Sequence, residues 1–348
     1  MSKSRTPRLR TLALLASATL VLGLTAACGS DGNAAAEGDK SITVYSGRSE
    51  ELVKPIFEAF TQQTGIAVQA RYGDSAELAA QLIEEGDKTP ADVFLSQDAG
   101  ALGAVSKEGA LGALPAGAIE SVPAKYRAAD ASWVGVTGRA RAIAYDGKTI
   151  KASDVPTSVL EFTKPQYKNQ VAIAPTNASF QAFITALRLT EGEDAAKKWL
   201  QDMKANGVKS YEKNALILDA VDKGQINFGL INNYYWYQKA AEVGEEKMRA
   251  QISFTEPGDA GSLVNVAGAG VLKDSITDAD SLAFVEYLLS EQTQKLFVEK
   301  TKEYPLVAGV APVAGLAPLS TLKGPDVDLA DLADLAATLE LLQEVGLT

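Results

Sequence analysis

Apolar and polar positions alternate over residues 41–45, which predicts a strand. The period then changes. Leu52, Val53, Ile56, Phe57 and Phe60 fall on one face of a helix predicted over residues 49–64, with Ser49 placed to cap it. A second strand follows over 66–72, then a helix over 76–85 carrying Leu78, Leu82 and Ile83. A third strand over 91–96 is closed by Asp98-Ala99-Gly100. This β-α-β-α-β order predicts a parallel sheet covered by helices. Ligands of such sheets sit beyond the carboxyl ends of the strands, which nominates the loops 46–49, 73–75 and 96–98.

The pattern recurs downstream. A strand over 170–175 runs into Thr176-Asn177-Ala178-Ser179, which opens a helix with Phe183, Leu187 and Leu189. Another strand, 226–231, ends in Asn232-Asn233-Tyr234-Tyr235. Residues 133–145 and 252–272 are long and rich in small or β-branched side chains, and are candidates for strands crossing between two lobes. Leu329, Leu332, Leu335, Leu339 and Leu342 follow a helical period and predict a C-terminal packing helix. There is no internal repeat beyond these β-α units.

The first residues follow a different logic. Lys3, Arg5, Arg8 and Arg10 precede an apolar run from Leu12 to Leu24, and Thr25-Ala26-Ala27-Cys28 closes it. A basic start, a short apolar core and small residues at the end describe a secretory signal, too short to span a bilayer. Its end resembles the bacterial lipobox, which implies that Cys28 is acylated. The protein is then expected on the extracellular face of the cytoplasmic membrane, lipid-anchored after cleavage. Residues 29–40 carry no large apolar side chain and read as a flexible tether. The remainder is long enough for two lobes.

Composition excludes much chemistry. The chain has no His, and Cys28 is its only Cys, so Ser-His-Asp and Cys-His catalysis and His/Cys zinc sites are ruled out. The formal charge of −11 includes the four cations of the signal, leaving the remainder near −15. Such acidity argues against nucleic acid as a partner.

Tyr234-Tyr235 is the most informative pair. In a strand the two rings would face opposite ways; at a turn entering a helix they can converge. They either line an interface as aromatics or serve as paired phenolate ligands, since a bound cation favours the anionic form. A hard phenolate oxygen suits Fe(III).

Ile231-Asn232-Asn233-Tyr234-Tyr235-Trp236 resembles the iron motif of the bacterial ferric-binding proteins, the periplasmic "bacterial transferrins". The resemblance extends over nearly the whole mature chain. It includes Ile42-Thr43-Val44-Tyr45-Ser46-Gly47, the stretch from Glu84 to Phe94, and Val136-Thr137-Gly138-Arg139-Ala140-Arg141. It implies an α/β, two-lobed periplasmic-binding-protein fold of the class II type, with a ligand cleft between lobes joined by crossing strands. The lobes are expected at 41–139 with 265–315 and at 140–264 with 316–348. It further implies Fe(III) as cargo, no enzymatic activity, an ABC importer permease as partner, and a monomer.

The resemblance also implies a synergistic anion, phosphate or carbonate, at Asn177, Ala178, Ser179, Asn214 and Asn232. A helix N-terminus is physically suited to hold one. Two departures concern the first lobe. Ser49 stands where relatives carry a histidine ligand, and Gln97 where they carry a carboxylate. Tyr72, Gln97, Asp98 or an exogenous anion are candidates to complete the metal shell, with Arg48 and Ser49 as candidate anion contacts. Three rival readings stay open: the same fold taking thiamine, phosphonate or another oxyanion, a carboxylate-based hydrolase using Asp74 and Asp98, and a purely structural lipoprotein.

Overall fold

The computed structural model describes residues 40–348; the signal and lipid-anchor assignments, Cys28 included, lie outside the described residues. The first β-α units form as their periodicity requires. β1 (Ser41–Ser46) leads to α1 (Glu50–Thr64), whose apolar stripe Val53, Ile56, Phe57 and Phe60 is buried. Gly65 ends α1 in the left-handed region at φ 77° and donates its N–H to Thr61 O, the role for which a residue without Cβ is suited. β2 (Ala67–Tyr72), α2 (Ser75–Glu85), β3 (Val93–Ser96) and α3 (Ala99–Lys107) complete the series, followed by the short α4 (Ala116–Ile119).

β4 (Val134–Asp146) is a buried strand that belongs to both halves of the sheet. The second half is built from β5 (Val171–Ile173), α5 (Ala178–Glu191), α6 (Glu193–Ala205), β6 (Lys209–Ser210), α7 (Asn214–Asp222), β7 (Phe228–Asn232), α8 (Tyr234–Val243) and β8 (Ala250–Ser253). The chain returns to the first half through β9 (Val264–Val271), α9 (Ala279–Leu288), α10 (Glu291–Thr301) and β10 (Tyr304–Pro305), and ends with α11 (Leu335–Val345).

The sheet order is β2-β1-β3-β9-β4-β7-β5-β6, with β8 and β10 also paired to β4. β1 is parallel to β2 and β3, and β5 is parallel to β6 and β7, as expected for β-α units. β4 and β9 run antiparallel to their neighbours. Residues 134–140 of β4 pair with β9, whereas Arg141 to Tyr145 pair with β7. The crossing thus changes partner between Ala140 and Arg141. Each half has its own core. Phe60 and Phe284, 5.1 Å apart edge to face, lie in the first. Phe183 and Trp199, at 5.6 Å, lie in the second.

Three local expectations are corrected. The stretch 252–272 is not one crossing strand: Pro257, Gly258 and a turn at Ala260–Ser262 divide it into β8 and β9. The leucine period of the tail is not one helix. Leu329–Ala333 forms a 3-10 turn, and α11 begins only after Asp334. The turn packs its Leu329 and Leu332 into the first core, while Leu342 of α11 enters the second. Ser49 occupies the position before α1, yet its side chain makes no capping hydrogen bond.

Candidate functional site

The three loops at the carboxyl ends of β1, β2 and β3 are tied to one another. Gly47 N–H donates to Leu95 O at 2.8 Å and Gly73 N–H to Ser46 O at 3.2 Å. Gln97 N–H donates to Ser75 Oγ at 2.9 Å. Gly47 is required by this closeness, since a Cβ there would lie 2.0 Å from Ser75 Oγ.

On the other lobe, Asn177 caps α5. Its Oδ1 accepts from Ser179 N–H at 3.1 Å, from Ser179 Oγ at 2.6 Å and from Asn214 Nδ2 at 3.3 Å. Asn214 Nδ2 also donates to Ser179 Oγ at 3.0 Å. The Asn177 side-chain oxygen is thus spent on Ser179 and Asn214. Asn232 Nδ2 and Asn214 Oδ1, both buried, have no hydrogen-bond partner among the described residues.

Strand pairing places the tyrosines. Asn233 N–H donates to Ala140 O at 2.9 Å, and Ala140 N–H donates to Asn233 Oδ1 at 3.0 Å. Two bonds thus fasten the residue before Tyr234 to the point where β4 changes partner. α8 begins there, and its turn stacks Tyr234 on Tyr235 with centroids 4.2 Å apart and planes at 28°. Tyr234 is buried and Tyr235 half-buried.

Three buried arginines surround this point. Arg48 Nη2 donates to Glu303 Oε1 at 2.7 Å, and Thr137 Oγ1 donates to Glu303 Oε2 at 2.7 Å. Arg141 Nη1 donates to Ser179 Oγ at 3.3 Å and to Asn232 Oδ1 at 3.4 Å. Arg139 is 1% exposed, and none of its three guanidinium nitrogens has a partner among the described residues. Arg139 and Arg141 share a face of β4 because strand side chains alternate. Burial, reinforced by Arg139, pulls the Arg141 pKa down to about 9, still protonated at neutral pH. Burial, with Tyr235 beside it, holds the Tyr234 phenol well above its ordinary value, while Arg48 and Arg139 pull the other way.

A cavity of about 320 Å³ lies between the lobes. From the first lobe it is lined by Arg48, Ser49, Tyr72, Asp74 and Gln97. From the second it is lined by Asn177, Glu212, Lys213 and Tyr235. Gln97 Nε2 reaches Asn177 Oδ1 at 3.5 Å across it. Tyr234, stacked on Tyr235, does not itself line the cavity. Ala178 faces a rim groove beside α11, which shares Asp74 and Thr176 with the cavity.

Asp98 is not among the cavity's lining residues. It is buried, its side chain accepts from Ala101 N–H at 3.1 Å, and burial raises its pKa. Asp74 and Asp98 therefore form no acid–nucleophile pair in the cavity. Among the described residues no group of three or more His, Cys, Asp or Glu is arranged to hold a metal, so the oxygen donors on offer are phenols and isolated carboxylates.

Sequence reasoning passed over Arg139, Arg141, Thr137, Glu303, Glu212 and Lys213. Two arginines at i and i+2 in an otherwise apolar strand were a readable signal. Glu303 carries none, because it meets Arg48 only through tertiary packing.

A sequence profile of the family described as bacterial extracellular solute-binding protein matches residues 88–323. The major ferric iron-binding protein of Neisseria meningitidis serogroup B is 36% identical over 308 residues, covering 88% of this chain and 93% of that protein. The Fe(3+)-binding periplasmic protein of Serratia marcescens is 33% identical over 346 residues, covering 99% of each. Among solved structures, iron-bound HitA from Pseudomonas aeruginosa superposes with a TM-score of 0.84 at 32% identity, covering 88% of this chain and 99% of that one.

Proposed function

This chain belongs to the bacterial extracellular solute-binding proteins, and from that premise we propose that it captures ferric iron and delivers it to an ABC importer. The observation that carries the reading is the stacked Tyr234–Tyr235 pair at the head of α8, beside the cavity between the two lobes. The ferric-binding names of the similar proteins support the same cargo.

Tyr234 and Tyr235 act as phenolate ligands. Arg48, Arg139 and Arg141 supply positive charge against the anions that gather around the metal. A synergistic oxyanion, phosphate or carbonate, sits near Asn177, Ser179, Asn214 and Asn232. The unpartnered atoms of Asn214 and Asn232 and the Arg141 contacts with Ser179 and Asn232 support that placement. The lobes are taken as 41–139 with 265–315 and 140–264 with 316–348, in a monomer held to the membrane through Cys28.

The test is iron retention. The purified protein is incubated with ferric citrate and desalted, and its metal content is measured. One equivalent of iron is expected, and none retained would contradict the reading. A second reading, an organic oxyanion as the solute itself, draws on the cavity volume, which falls in the range of small-molecule sites. Stabilisation by phosphonates without iron would favour it.

A further inference from the structure

We propose that Asp74 is the ligand through which the first lobe reaches the metal, an inference that rests on the ferric reading above. Among the helices that begin at the cleft-side ends of strands, α2, α3 and α5 are each preceded by an Asp or Asn with extended backbone: Asp74, Asp98 and Asn177. Asp98 and Asn177 spend their side-chain oxygens on their own helix N–H groups. Asp74 has the extended backbone suited to capping, φ −70° and ψ 140°, yet its side chain caps nothing. Its carboxylate makes no hydrogen bond or ion pair among the described residues, and it lines the cavity that Tyr235 lines from the opposite lobe.

The other first-lobe groups are less suited. Arg48 is a cation committed to Glu303. Ser49 is neutral, and the Gln97 amide points its donor at Asn177. Tyr72 lines the cavity too, but a phenol has to give up a proton before it can bind as an anion. Glu212 is a cavity carboxylate too, but it belongs to the same lobe as the tyrosines and cannot draw the lobes together. Hard oxygen donors are also what Fe(III) selects.

The test compares Asp74→Asn, Asp74→Glu and Glu212→Gln with the parent protein, using competition with citrate for affinity and the tyrosinate-to-iron absorption band for ligation. Asn caps a helix as well as Asp does, so Asp74→Asn should keep the parent's thermal midpoint. Its iron affinity should fall by more than the ~10–100-fold that loss of an outer-shell partner costs. The tyrosinate band should persist with a shifted maximum, and Asp74→Glu should recover part of the affinity. The loss should also survive 1 M salt, where the screening length is ~3 Å; a through-space charge effect would fade there. Parent-like affinity in Asp74→Asn, a loss that vanishes at 1 M salt, or an equal loss in Glu212→Gln would each overturn the assignment while leaving the ferric reading intact. A parent protein with no tyrosinate band at all would overturn both.

Discussion

Tyr234 is pulled in two directions: burial and the adjacent Tyr235 favour the neutral phenol, while Arg48 and Arg139 favour the phenolate. Burial wins in the metal-free protein, so the proton is in place at neutral pH and iron must displace it. Apparent affinity should therefore fall as pH falls, by ~10-fold per pH unit for each phenolic proton displaced. With no histidine in the chain, no imidazole step should appear between pH 6 and 7. Titration by citrate competition at several pH values checks this, and a flat profile would contradict it. The same raised pKa has a consequence for stability. The folded state holds the Tyr234 proton more tightly than the unfolded chain, whose phenols titrate near ~10. Stability should thus be complete below about pH 10 and decline as pH rises beyond it. Thermal melts between pH 8 and 11 would show the decline.

At the scale of elements, the cleft depends on how closely the loops after β1, β2 and β3 approach. Gly47→Ala would place a Cβ 2.0 Å from Ser75 Oγ, whose hydroxyl anchors the Gln97 loop. The substitution should cost ~1–3 kcal/mol, the usual range for overpacking, and weaken iron binding. Urea unfolding and metal competition on one sample would measure both. The elements themselves were largely legible. Val53, Ile56, Phe57 and Phe60 marked α1 by period alone, and the three cleft loops followed from the rule for parallel strand ends. The leucines of the tail misled because 3-10 and α turns share a similar spacing, and nothing in the sequence shows that Leu332 packs against α3 while Leu342 joins α5 and α6. In the site, the tyrosine pair was legible from its place after a strand. The Arg48–Glu303 ion pair was not, because it joins residues 255 positions apart.

At the scale of the molecule, the lobes meet through β4, through the connection from β8 to β9, and through a tail that touches both cores. Paired strands that cross once and change partner between Ala140 and Arg141 are a natural hinge, and binding should close the lobes about it. Solution scattering with and without iron should show compaction, and identical profiles would count against closure. Membrane attachment is tested separately, by comparing radiolabelled-lipid incorporation in the parent and in Cys28→Ser. Label should be lost in the variant, and equal labelling would exclude the anchor. The most direct measurement concerns the tyrosines. Ferric citrate added to the parent protein, to Tyr234→Phe and to Tyr235→Phe, each followed by visible absorbance, separates ligation from stacking, because Phe keeps the ring and removes only the oxygen. The parent should develop a broad tyrosinate-to-iron band, and each variant should lose most of it together with its affinity. A colourless parent, or variants that colour and bind like the parent, would contradict ferric capture by this pair.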